Sequence, residues 1–169
     1  MKYIALLRAV NVGGTGKLPM AELKAMCRDA GFTQIETYIA SGNVVFESRA
    51  AEARVKSELE SRLMIYVGKQ IDVVLRTASG MQAVLKANPF PKAAPNHTYA
   101  FFLNERPPGD AFDHAAGRKD EEVRLGKREI YVHYPNGMGR SKLKIPATKF
   151  GTARNMNTIA MLSEMASKL

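Results

Sequence analysis

Two short polar stretches hold the residue types that bind negative charge. The first spans residues 8–17 and contains Arg8, Asn11, Gly13, Gly14 and Lys17; the second is Ser41-Gly42-Asn43. Glycine lets backbone N–H groups turn toward a ligand, a following helix presents its positive end, and Arg or Lys neutralises bound charge. Each stretch, taken alone, also reads as an ordinary tight turn, and both readings stay open. Gly14-Thr15-Gly16-Lys17 resembles the end of a phosphate loop, G-x-x-x-x-G-K-[ST]. However, Asn11 stands where the first glycine belongs and Leu18 replaces the magnesium-binding hydroxyl. No ATPase is expected.

A third polar cluster lies near the C-terminus: Arg140, Ser141 and Lys142, followed by Arg154, Asn155 and Asn157. The cations suit phosphate, with the asparagines supplying hydrogen bonds. Alternatively, Thr152 or Asn155 simply caps the last helix. Familiar catalytic sets are missing. His97, His114 and His133 occur singly, without metal-ligand spacing, so no metal and no cofactor are expected. Ser41 lacks the first glycine of a G-x-S-x-G elbow. The acidic run Asp120-Glu121-Glu122 reads as a solvated strand end.

The elements that must position these residues follow from periodicity. Residues 2–10 form an apolar, strand-like run ended by the glycine-rich stretch. Pro19 suits a first helical turn, and Met20, Leu23, Cys27 and Ala30 recur at helical spacing up to Gly31. Cys27 is most simply a core thiol. Residues 35–39 and 44–46 read as two strands of a hairpin, 50–64 as a charged helix ended by Gly68, and 70–76 as another strand.

The order β-α-β-β-α-β is that of a ferredoxin-like α/β plait, assigned to residues 1–77 of an α+β protein. In that topology the third strand lies between the first two, which are parallel. The loop after strand one and the hairpin after strand two therefore share one end of the sheet, although about thirty positions separate them. An anion site at this shared end is the consequence.

Residues 78–169 are assigned to a second, smaller α/β-plait-like unit. Thr77 is placed to cap a helix over 79–87, and 97–103 is strand-like. Residues 121–125 and 129–134 form a hairpin around Gly126-Lys127, and a final helix covers about 155–168.

The 169 residues carry a formal charge of +9, a field that attracts phosphates, nucleic acid or anionic metabolites. The charge is uneven. Residues 1–116 hold 14 basic against 11 acidic side chains, and 117–169 hold 11 against 5. A single cysteine points to a reducing compartment. No apolar run reaches the roughly 18 residues of a membrane span, and the N-terminus lacks a signal-peptide pattern, so a soluble cytoplasmic protein is expected.

Five segments resemble a known family. Residues 6–14 read LLRAVNVGG, 38–46 YIASGNVVF, 88–91 NPFP, 139–143 GRSKL and 152–158 TARNMNT. Together they resemble the bacterial domain-of-unknown-function family 1697. The resemblance implies two small α/β-plait units in one chain and carries no established activity, hence no catalytic residue. Ala9 stands where the family usually has glycine, and Met156 where it often has tryptophan.

The leading functional expectation is binding of a phosphorylated or otherwise anionic ligand at the first loop and hairpin, with nucleic acid as one candidate and the basic C-terminal segment as a possible contributor. An RNA-recognition platform is disfavoured, since residues 43–48, NVVFES, lack the aromatic-rich strand motif. One alternative is a small acylphosphatase-like phosphoryl hydrolase with Arg8 and Asn43 holding phosphate. The other is a protein-interaction module.

Overall fold

The computed structural model describes residues 1–12 and 17–169. Two units emerge, Met1–Met81 together with Leu162–Leu169, and Gln82–Met161. The first division falls four residues beyond the boundary expected after Thr77, and Leu162–Leu169, expected in the second unit, group with the first.

The first unit runs β1 (Lys2–Leu7), α1 (Met20–Asp29), β2 (Thr33–Thr37), β3 (Asn43–Glu47), α2 (Glu52–Val67) and β4 (Val73–Thr77). Its sheet has the order β2-β3-β1-β4, with every neighbouring pair antiparallel. Thus β3 lies between β1 and β2, as the β-α-β-β-α-β reading requires. Strand side chains alternate between faces. Tyr3, Ala5 and Leu7 of β1 join Val44, Phe46, Val73 and Leu75 in one core.

Onto that face α1 lays Leu23, Met26 and Cys27, and α2 lays Val55, Leu59 and Leu63, stripes one helical turn apart. Each fully buried aliphatic side chain contributes roughly 1.5–3 kcal/mol. Phe32 stacks on Phe46 with ring centroids 4.4 Å apart. Gly68 ends α2 at φ +84, the left-handed conformation that glycine enters without a Cβ clash. β2 starts two residues earlier than expected and carries an irregularity between Thr33 and Glu36, where Gln34 has φ +53.

Next come α3 (Ala78–Lys86), β5 (Thr98–Phe102), β6 (Glu122–Leu125), β7 (Glu129–His133), β8 (Thr152–Asn155) and α4 (Met156–Ser167). The second sheet has the order β6-β7-β5-β8, again antiparallel throughout. Short 3-10 turns at Ala111–His114, Met138–Arg140 and Pro146–Thr148 connect its strands. The core includes Leu103, Val123, Ile130, Val132 and Ile145. The strand β8 lies where the sequence suggested only a polar lead into the last helix. Four residues, Thr-Ala-Arg-Asn, pair with β5 despite their polarity because Thr152 and Arg154 are the buried members of an alternating pattern.

The acidic run at 120–122 is not the solvated strand end its sequence suggests. Asp120 and Glu122 are exposed, but Glu121 is buried, because its carboxylate is taken up by the hydroxyl of Ser141 and the backbone N–H of Lys119. Cys27 is buried, and burial pushes its thiol up to about 12, as a core thiol requires. Among the described residues no helix is long and apolar enough to cross a membrane, and no group of three His, Cys, Asp or Glu side chains is arranged to hold a metal.

Candidate anion-binding pockets

At the end of β1 the chain turns through two residues with left-handed backbone, Ala9 and Asn11, both at φ +55. A side chain in that region costs roughly 1–2 kcal/mol, less for asparagine, so Ala9 is strained where glycine would be relaxed. Asn11 then acts as a clasp. Its amide nitrogen donates to the carbonyls of Leu18 at 2.9 Å and Ala40 at 2.7 Å, and its oxygen accepts from Leu18 N at 2.7 Å. One side chain thus ties the loop after β1 to the hairpin between β2 and β3.

The hairpin is fitted closely. Leu7 N donates to Gly42 O at 2.9 Å, and a Cβ on Gly42 would stand 2.6 Å from Val10 Cγ2 and 2.8 Å from Leu7 Cβ. With φ +89 as well, Gly42 is required twice over. The buried Asn43 donates its amide to Tyr38 O and Ser41 Oγ, both at 3.0 Å, so it braces the turn from inside. Ile39, a β-branched residue at φ +51, is half exposed. Strained backbone of this kind clusters at functional sites.

Between these loops lies a pocket of about 470 Å3 lined by Asn11, Lys17, Leu18, Pro19, Met20 and Ala40. It sits at the start of α1, whose cap residue Pro19 makes no side-chain hydrogen bond. Pro19 O accepts Glu22 N and Leu23 N, leaving the helix's leading amides at the pocket end. Of the residues singled out from sequence, Asn11 and Lys17 line this pocket, while Ser41, Gly42 and Asn43 build the hairpin behind it. Gly13 and Gly14 lie outside the described residues. Arg8 turns toward β4, with its guanidinium 4.0 Å from the Asp72 carboxylate and its backbone N–H on Asp72 O.

The second unit gathers Arg140, Ser141 and Lys142 around a pocket of about 350 Å3 with Lys119, Tyr134 and Asn136. A two-way backbone bridge between Ala116 and Lys144 holds its two walls together. Gly117 has φ +74, and a Cβ there would fall 2.1 Å from Lys142 O, so the walls meet only because this residue is glycine. The Ser141 hydroxyl and then the Lys119 N–H hold the Glu121 carboxyl below its ordinary range. Asn136 donates to Asp120 at 2.8 Å.

Arg154 is set apart from this pocket's lining. It is buried, donates to Thr152 Oγ1 and Ala153 O, and burial pushes it down to about 10, which leaves it charged at neutral pH. Asn155 caps α4 by accepting Thr158 N at 2.9 Å, the bland alternative for that position. Asn157 is exposed, and Met156 is buried. Sequence reasoning missed Lys119, Tyr134 and Asn136. The available signal was the turn Pro135-Asn136-Gly137 directly ahead of Arg140.

A family model described as "Protein of unknown function (DUF1697)" matches residues 1–131. The chain belongs to this family. Comparison with curated proteins gives no match. Among solved structures, a conserved bacterial protein from Streptococcus pneumoniae is similar to this DUF1697 chain over 98% of each, with a TM-score of 0.81 and 26% sequence identity. That similarity extends over both sheets, and the fold is α+β.

Proposed function

We propose that the protein binds a phosphorylated or otherwise anionic small ligand at the start of α1, in the pocket between the loop after β1 and the β2–β3 hairpin. The carrying observation is the coincidence of a 470 Å3 cavity, the exposed Lys17 and a helix N-terminus without a side-chain cap. Aligned peptide dipoles and leading N–H groups favour an anion there, and the ammonium of Lys17 adds a full charge. Asn11, Gly42 and Asn43 serve the site by holding its walls, so their polar groups act on protein partners rather than on ligand. The net charge of +9 raises the local concentration of any anion.

Titration of the 15N-labelled chain with inorganic phosphate and pyrophosphate tests this reading. The amides of Lys17, Met20, Ala21 and Ala40 are expected to shift, more strongly with pyrophosphate. Lys17→Gln should weaken binding by about three- to tenfold, and added salt should weaken it further. Unshifted amides at the start of α1, or unchanged affinity in a folded Lys17→Gln variant, rules the site out.

A further inference from the structure

Independently of the α1 site, the second unit carries two adjoining pockets of contrasting chemistry. On one side lies the 350 Å3 pocket with Lys119, Arg140 and Lys142. On the other lies a pocket of about 520 Å3 whose lining is mostly apolar, with Phe101, Leu143, Ile145 and Pro146, and also includes Lys144 and Lys149. Tyr134 and Ser141 line both and form the border between them.

Three observations point to a ligand. The carboxylates in the polar pocket are satisfied by neutral donors: Glu121 by Ser141 Oγ and Lys119 N, and Asp120 by Asn136 Nδ2. Lys119, Arg140 and Lys142 form no ion pair among the described residues, so their charge is available to the polar pocket. Most telling is Tyr134, only 4% exposed, whose hydroxyl makes no hydrogen bond to the described residues. No fully enclosed side-chain polar atom lacks a partner, so this hydroxyl keeps some accessible surface, and its residue lines both pockets. A buried phenol in that position has a donor to give and nothing in the protein to receive it. With its proton held to about 12 by burial and the nearby Glu121 charge, it stays a donor at neutral pH.

We propose that these two pockets together bind a phosphomonoester of an aromatic or alkyl alcohol. The anionic head meets Tyr134 Oη and the Arg140 and Lys142 cations, and the apolar body lies against Phe101, Leu143 and Ile145. Neither half of such a molecule suits the site alone: a bare anion leaves the apolar pocket wet, and a neutral body leaves the cations and the phenol unmatched. Ser141 is a positioning residue, since its hydroxyl donates to Glu121 and accepts Leu143 N at 3.1 Å, which fixes the border.

Isothermal titration of the full chain with phenyl phosphate, inorganic phosphate and benzyl alcohol provides the test. Phenyl phosphate is expected to bind at least tenfold more tightly than either fragment. Tyr134→Phe should weaken it about tenfold with the unfolding midpoint unchanged, because the lost hydroxyl has no protein partner. The double variant Arg140→Gln/Lys142→Gln should weaken it further. Repeating the titration in a Lys17→Gln background, where the α1 site is weakened, should retain both the preference for phenyl phosphate and its loss in Tyr134→Phe, which separates this site from the one at α1. Absence of phenyl phosphate binding, equal affinity for inorganic phosphate, full affinity in Tyr134→Phe, or disappearance of the phenyl phosphate preference in the Lys17→Gln background overturns the proposal.

Discussion

In the first sheet β3 lies between β2 and β1, and β4 closes the far edge; in the second, β7, β6, β5 and β8 take the corresponding places. The registers also correspond. Leu6 faces Asn43 where Phe102 faces Glu129, and Ile4 faces Arg76 where Ala100 faces Arg154. Each fourth strand thus contributes a buried arginine and runs straight into a helix capped from the strand's last residue. Thr77 Oγ1 accepts Gly80 N at 3.0 Å, and Asn155 Oδ1 accepts Thr158 N at 2.9 Å. The difference lies in the connections. The first sheet is covered by the ten-residue α1 and sixteen-residue α2, whereas 3-10 turns and extended segments link the strands of the second. A helix seals a sheet face with a continuous apolar stripe; irregular segments keep polar backbone near the face and leave gaps. The two adjoining pockets of the second unit lie among such segments, and the first unit's pocket lies at a helix end.

The largest test of this contrast is core truncation. Leu59→Ala, on the buried face of α2, should cost about 3 kcal/mol, while Leu143→Ala, on the half-buried loop wall, should cost about 1 kcal/mol, read from urea unfolding by circular dichroism. Equal losses would mean that the turns pack as densely as the helices. A finer test concerns the shared feature. Thr77→Ala and Asn155→Ala should each remove about 1 kcal/mol through the lost helix cap. A large disparity between them would break the correspondence of the two strand-to-helix junctions.

The smallest effect is electrostatic and confined to the second unit. The folded-state pKa of Glu121 is held below its unfolded value, so its stabilisation is present above the unfolded carboxylate range of about 4.3 and is lost as pH falls through the lower folded value. Stability measured from about pH 5 downward should therefore fall less steeply in Glu121→Gln than in the parent chain. Identical slopes would show that the Ser141 contact has no energetic weight.

Much of the first unit was legible because its signals are local. Glycines stop α1 and α2, apolar stripes recur every turn, and the strand order follows from the sequence of elements. The meeting of the two distant loops was accessible for the same reason, since topology alone brings Asn11 to Ala40. The second unit resisted because its order depends on pairings with no local signature. β8 is a polar tetrapeptide that becomes a strand only through β5. Glu121 reads as a surface charge until Ser141, twenty positions later, supplies a donor. Its pocket walls, on either side of β6 and β7, are ordinary turns until Gly117 lets one backbone touch the other.

Cys27 is the chain's single cysteine and belongs to the helix-covered core. Enclosed and held protonated, it is inert to thiol reagents while that core stays shut. Its rate of alkylation is consequently a clock for the opening of the first unit alone, blind to the second, and needs no introduced probe.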